Sequence, residues 1–406
     1  GTDADVIIDG GTTALIIAAS TIDGDLTLTS GATAGITDSG TVTVGGDLAA
    51  TTDAGNGVID MDTLAVDGSI ALVTNGNGAA TVVNDAAIEF AASTVRGALT
   101  ATATTGDITD SGTLTITGAS IFTTRVGGSN IVLDSSANAF AAAVTMKADT
   151  GGDETFGNIT FVDSAAVKLH SSAGTNGDLF IDGHPDRAVG GNLSITATAG
   201  DITQGAAVAV TGTSSFTTSA SDADITLSNT GNAFASAVTL STTGSTAHAT
   251  IDNGTTTLDI AASSVGGDLT LISGHASGIT DSGNVTVGGN LAATTNANHG
   301  VINMGTLRVD GTVALTTNGN GAATVVNDVG LIFAASTVGG VLSATATTGN
   351  ITQGSGNLAI TGAATFITVA GGSNIILDGS GNAFAAAVTM RAGNGTNAAF
   401  GNITFV

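Results

Sequence analysis

"GDLTLTSGATAGITDSGTVTVGGDLAATT" occupies residues 24–52, and "GDLTLISGHASGITDSGNVTVGGNLAATT" occupies residues 267–295. Two readings of this repetition compete: a duplicated active site, or one layer of a stacked architecture written twice. The internal pattern decides between them. "DLTLT", "GIT" and "TVTV" are short runs that alternate apolar and small polar residues, and alternation at period two marks strands with one buried face. "GG" and "DSG" part the runs and supply positive φ and local side-chain hydrogen bonds for sharp corners. Helical periodicity is nearly absent; "NAFAAAVTM" (138–146) comes closest, and its β-branched and Phe positions suit a strand as well.

The long repeat extends beyond this phrase. "NGNGAATVVND" at 75–85 returns at 318–328, and "FGNITFV" at 156–162 returns at 400–406. "SNIVLDSSANAFAAAVTM" (129–146) returns as "SNIILDGSGNAFAAAVTM" (373–390), with a looser form, "ADITLSNTGNAFASAVTL", at 223–240. Residues 1–243 thus form a first long unit, and 244–406 a partial second copy. Such an array reads as a piece of something longer, continuing into further units along one chain or by end-to-end stacking.

A finer beat runs inside each unit. Leu26, Leu48 and Ile70 are 22 residues apart, as are Leu269, Leu291 and Val313. Leu99 and Leu342 follow 29 residues later, the extra residues being those of the "EFAAST" and "IFAAST" stretches. Phe122 and Phe366 come next. A coil of about 22 residues with three short strands cannot bury its inner face alone, but stacked on its neighbours it builds a continuous parallel β-helix. The expected fold is all-β, a parallel β-helix (β-solenoid) running through residues 1–406 as one domain. The expected inward columns are Leu26–Leu48–Ile70–Leu99 and Ile36–Ile59–Ile108. Asn138, Asn232 and Asn382 are expected at one corner as turn or ladder residues, with Phe140, Phe234 and Phe384 packed beside them.

Composition supports a long, thin core. The 406 residues include 60 Gly, one Pro, no Cys, no Trp and no Tyr, and 42% are hydrophobic against 10% charged. That aliphatic content argues against disorder. Acidic residues number 33 and basic residues 7, a formal charge of −26. Scattered cations (Arg96, Arg125, Lys147, Lys168, Arg187, Arg308, Arg391) assemble no basic surface, so nucleic-acid binding and attraction to anionic membranes are not expected. Lack of cysteine removes disulfides and thiol chemistry. No apolar run is long enough to span a membrane, so no membrane insertion is expected, and "GTDADVIIDGG" (1–11) has no secretory n- or h-region.

"GGNLSITATAGDITQGAAVAVTGTSSFTT" (190–218), "DITLSNTGNAFASAVTL" (224–240) and "LDIAASSVGGDLTLISG" (258–274) resemble the repeat arrays of very large bacterial surface proteins, the filamentous-haemagglutinin-like adhesins of Gram-negative organisms. The resemblance covers essentially the whole chain. It implies a right-handed parallel β-helix, export to the cell exterior, and a role in adhesion, biofilm or surface filaments. The partners expected are further copies joined end to end, since a stacked array without polar caps exposes its end coils, and, for an acidic surface that recruits cations or glycans, host or matrix glycans.

Catalysis on such a scaffold needs clustered carboxylates or a basic proton acceptor, usually with aromatic platforms for sugars. None is legible, so no catalytic, cofactor-binding or metal-binding residue is assigned and the protein is not expected to be an enzyme. The two copies supply a test: Asp60, Asp62, Glu89, Asp107 and Asp110 become Asn303, Gly305, Ile332, Asn350 and Gln353. That drift reads as solvated surface. Asp38/Asp281, Asp85/Asp328 and Asp134/Asp378 are kept beside Ser, Gly or Asn and read as turn caps. Calcium (Ca2+) at acidic corners is the one cofactor left open, although no serial calcium-binding nonapeptide occurs. His170, His184, His248, His275 and His299 are isolated, which argues against a metal cage. "GHPDR" (183–187) holds the single proline and reads as an excursion, the first place to look for a bound partner. A Thr-x-Thr ice-binding array is broken, since "TLT" at 27–29 gives way to "AAT" and "ALV" one and two coils on.

Overall fold

A computed structural model describes residues 4–148, 156–170, 178–181, 188–393 and 400–406. Every regular element among them is a β-strand. Strands pair in parallel with strands one coil away, never with a hairpin neighbour. The protein is a parallel β-solenoid with about 22 residues per turn. Two compact units divide it, Gly1–Ala199 and Gly200–Val406.

Each coil has a straight side and a bent side. In the first unit the straight side stacks Val6–Asp9, Leu26–Ser30, Leu48–Gly55 and Ser69–Asn75. The bent side stacks pairs of three-residue strands: Leu15–Ile17 with Ser20–Ile22, then Ile36–Asp38 with Val42–Val44, then the fused Ile59–Val66. Alternation does what period two requires, since Leu26, Leu28 and Ser30 are buried while Thr27 and Thr29 face outward. Between sides the chain turns sharply. Gly35 at φ 70° is obligatory, because a Cβ there would overlap the Val58 carbonyl of the coil above.

The two sides exchange roles. Leu26 pairs with Leu48 and Leu48 with Ile70, as the spacing predicts. Ile70, however, pairs with Phe90, and Leu99 lies above Ala80. The predicted columns are corrected accordingly: Leu99 leaves the Leu26 column and joins Ile36, Ile59 and Ala80. Ile108 leaves the Ile36 column and stands on Ile88. The cause is the segment 69–84, whose two strands are both long. Ala80–Asn84 lies straight across the bent strand Ile59–Val66, and the short pair Ile88–Phe90 and Ser93–Val95 lies on Ser69–Asn75. From there the former bent side is straight, through Leu99–Ala103, Ser120–Thr124 and Val144–Ala148. The sides exchange again where Ile159–Asp163 covers Ile131–Leu133.

The second unit repeats the device. Ala249–Asp252 lies straight over Ile225–Leu227, and Ala323–Asn327 lies straight over Ile302–Val309. The residues lengthening the beat to 29, "FAAST" and its counterpart, form the bend laid onto the last straight strand.

Phe122 stands over Ala101 and Phe366 over Ala344, two positions on from the predicted Leu99 and Leu342, so the inward parity holds. "NAFAAAVTM" is strand, Ala139–Phe140 and Val144–Ala148. Phenylalanines line the core edge to face: Phe90 to Phe122 at 6.2 Å, Phe122 to Phe140 at 6.2 Å, and in the second unit Phe333 to Phe366 at 5.9 Å.

Candidate functional site

An exchange creates a backbone problem. A straight strand laid over a bent pair follows the first short strand, then ends before it can pair with the second. The orphaned peptide groups are buried, where an unpaired N–H or C=O is costly. One residue solves this each time. Asn84 is fully buried; its Oδ1 accepts the Val66 N–H at 2.8 Å, and its Nδ2 donates to the Val66 carbonyl at 2.9 Å and the Ala87 carbonyl at 2.7 Å. Asn327 repeats the set with Val309 and Gly330. Asn253 does the same for Phe234 and Thr257. A primary amide is a peptide in miniature, donor and acceptor on one plane, so it substitutes for the absent strand. At the fourth exchange the residue is Asp163, whose Oδ1 accepts the Phe140 N–H at 3.3 Å. Burial pushes its carboxyl up from the ordinary value, opposed by backbone N–H groups.

The opposite side of the exchange has its own plug. The Ser93 hydroxyl accepts the Leu72 N–H at 3.0 Å and donates to the Ala91 carbonyl. Ser263 serves Leu240 and Ser336 serves Leu315 in the same way. Sequence reading noted these residues only as spacing.

Polar brackets also join ordinary coils. Asn138, Asn232 and Asn382 sit at the predicted corner, taking the N–H of Leu114, Val208 and Leu358. Their partners correct the idea that copy drift marks idle surface. Asp110 holds the Asp134 and Ser135 N–H groups and the Asn138 side-chain amide. Gln353 takes the same place, receiving the Gly379 N–H and the Asn382 amide. Asp107 and Asn350 likewise each accept the N–H one coil on, from Asn130 and Asn374. Acceptor geometry is kept while charge varies. Asp60, Asp62 and Glu89 do face solvent, as the drift suggests. Asp38 and Asp281 are caps, each accepting two N–H groups and a Thr hydroxyl from the coil above. Asp85 and Asp328 directly follow Asn84 and Asn327, and their main-chain carbonyls accept the Thr105 and Thr347 hydroxyls of the next coil.

A third corner carries a ladder in which each side chain accepts the N–H of its successor one coil away: Asp5 to Asp25 to Asp47 to Ser69, and in the second unit Asp201, Asp224, His248, Asp268, Asn290 and Thr312. Buried threonines close the turns after the straight strands, as Thr52 does by donating to the Gly57 carbonyl.

One open groove of about 240 Å³ lies beside Arg308, between Asn284 and Thr347. Its polar groups are engaged by the chain itself: Thr306 donates to Asp281 and Gly283, Thr347 to the Asp328 carbonyl, and Arg308 stands 3.6 Å from Asp310 and 3.7 Å from Asp328. Among the described residues no group of three His, Cys, Asp or Glu is placed to hold a metal ion. His184 and "GHPDR" lie outside the described residues. No helix among them is long and apolar enough to cross a membrane.

A family model described as repeats of unknown function, DUF5649, matches residues 77–147, 156–241 and 320–391, more than half of the chain. The chain belongs to this repeat family. No curated protein and no solved structure matches it. The matched segments have a structural meaning. They begin three residues before Ala80, Ile159 and Ala323, the first straight-strand residues after an exchange, and end inside Val144–Ala148, Val238–Thr243 and Val388–Ala392. One family repeat is therefore the run of coils from one exchange to the next. Residues 249–318 are built the same way.

Proposed function

We propose that this DUF5649 repeat protein is the structural repeat region of a large extracellular bacterial surface protein or filament, serving adhesion, biofilm or cell-surface architecture. The observation that carries this reading is where the buried polar groups go. Asn84, Asn327, Asn253, Ser93 and Asn138 spend their hydrogen-bonding capacity on backbone of the adjoining coil. Catalytic and ligand sites instead aim such groups at an empty space. The proposed function is mechanical: coil holds coil, and repeat holds repeat. The proposed partners are further copies, met by self-association or by continuation end to end, because a stacked array gains stability from each neighbouring coil. The phrases at 190–218, 224–240 and 258–274, with their likeness to giant surface adhesins, support the extracellular placement. The acidic exterior, with a formal charge of −26, favours solubility of a long repeat array.

Antibody labelling of intact cells with electron microscopy of the native material tests this. Surface labelling on extended filaments is expected; compact particles of defined size confined to the cell interior would contradict it. Binding of host or matrix glycans to the purified chain, measured with and without calcium, tests the alternative of an adhesive solenoid surface.

A further inference from the structure

The corner ladder of the second unit contains a rung unlike the others. Where Asp201, Asp224 and Asn290 present an Oδ1, His248 presents a ring nitrogen: Nδ1 accepts the Asp268 N–H at 2.9 Å. The donor is a backbone amide and cannot reverse, so this bond requires a bare Nδ1 and places the ring proton on Nε2. His299 is built alike. It sits at φ 66°, a left-handed position that Asn56 occupies in the first unit at φ 68°, and its Nδ1 accepts the Asn320 N–H at 2.9 Å. Asn56 bonds the Asn77 N–H through Oδ1. His275 uses Nδ1 for the Ser277 N–H at 3.0 Å, beside the Thr257 hydroxyl at 2.8 Å. The three described rings thus share one demand.

Amide and carboxyl rungs can accept at any pH, because even a protonated carboxyl keeps a carbonyl oxygen. An imidazole cannot: a proton on Nδ1 turns the acceptor into a donor facing another donor. For His248 a second partner is in place. The groups around it are Asp224 below, whose Oδ1 takes the His248 N–H at 2.7 Å, Asp222, which caps Thr246 two residues upstream, and Asp268 above, whose Oδ2 is 3.9 Å from Nδ1. Asp268 Oδ1 meanwhile holds the Asn290 N–H at 2.7 Å. Among the described residues His248 and Asp268 are the one histidine–carboxylate pair.

We propose that His248 is an acid-responsive partner switch between coils of residues 200–406, with His299 as a second acid-sensitive rung. Protonated, His248 releases the Asp268 N–H and donates to the Asp268 carboxylate; His299 releases the Asn320 N–H and has no ion-pair carboxylate among the described residues. The first unit carries Asp5 and Asn56 at the corresponding positions and lacks the device.

Amide hydrogen exchange on the full chain at pH 7.5 and pH 5, corrected for intrinsic rates, tests this, together with histidine-selective nitrogen NMR. At pH 7.5 the Nδ1 of both rings gives the signal of an unprotonated acceptor. At pH 5 the Asp268 and Asn320 amides lose about tenfold in protection relative to Asn290 and Asn77, the scale of one lost hydrogen bond. In His248→Asn and His299→Asn, which restore the rung used elsewhere, that selective loss disappears. A protonated Nδ1 at pH 7.5, equal changes at all four amides, or a loss persisting in the variants would overturn the proposal.

Discussion

Asn327 holds both backbone polar groups of one residue in the coil below: its Oδ1 takes the Val309 N–H at 2.8 Å and its Nδ2 gives to the Val309 carbonyl at 3.0 Å. The neighbouring straight strand ends there, so nothing else can pair with that backbone. Truncating the side chain leaves a buried donor and a buried acceptor exposed to no partner. Asn327→Ala is expected to cost about 2–4 kcal/mol, the desolvation of two groups, and Asn84→Ala the same. Denaturant unfolding measures the loss, and hydrogen exchange should locate it at Val309 or Val66.

Asp163 fills the same role with the less suitable side chain. As a carboxylate it accepts the Phe140 N–H but has no proton to return to a carbonyl. Burial raises its carboxyl from the ordinary value of 3.8, so the folded state holds a proton more tightly than the unfolded one. Its favourable contribution is fully present below pH 3.8 and is lost as pH rises through the folded value. Asp163→Asn is expected to stabilise the protein by about 1 kcal/mol at neutral pH, with the gain shrinking in acid. Thermal melts of both proteins between pH 3 and pH 7 check the magnitude and its sign.

Ser120 and Ser214 begin their straight strands with buried hydroxyls that have no partner among the described residues, while the third equivalent position is Ala364. An unsatisfied buried hydroxyl is a net cost. Ser120→Ala and Ser214→Ala are each expected to be neutral or stabilising by up to about 1 kcal/mol, measured by the midpoint of chemical unfolding. A loss of more than that would mean the hydroxyls are engaged after all.

Period-two alternation and the 22-residue beat made the solenoid and its inner parity legible, because both follow from the pleat and from stacking. The exchange was not legible. Leu26, Leu48 and Ile70 set a rhythm, and the 29-residue step to Leu99 looked like the same column with an insertion. It is the sum of a straight strand placed on the other side and a bend placed on this one, and spacing alone cannot distinguish these. A signal existed in "ATVVN", "ITFVD" and "ATIDN", each placing a carboxyl or amide at the fifth, inward position, at the strand's end or, for Asn253, just past it. An inward Asn after two alternating inward apolar residues demands a buried partner, and that partner is unpaired backbone. Asp110 and Gln353 were misjudged for a related reason: their chemistry differs, but both present an oxygen to the same N–H groups.

The account rests most heavily on the exchange at residues 69–84. Since the chain has no native cysteine, paired cysteines report strand neighbours directly. Thr81 and Thr100 are side by side and face outward, as are Thr27 and Ala49. Under mild oxidation, Thr81→Cys/Thr100→Cys and Thr27→Cys/Ala49→Cys should form intramolecular disulfides readily, while Ala71→Cys/Thr100→Cys should not. A disulfide between positions 71 and 100, with none between 81 and 100, would place Leu99 back above Ile70 and contradict the exchange.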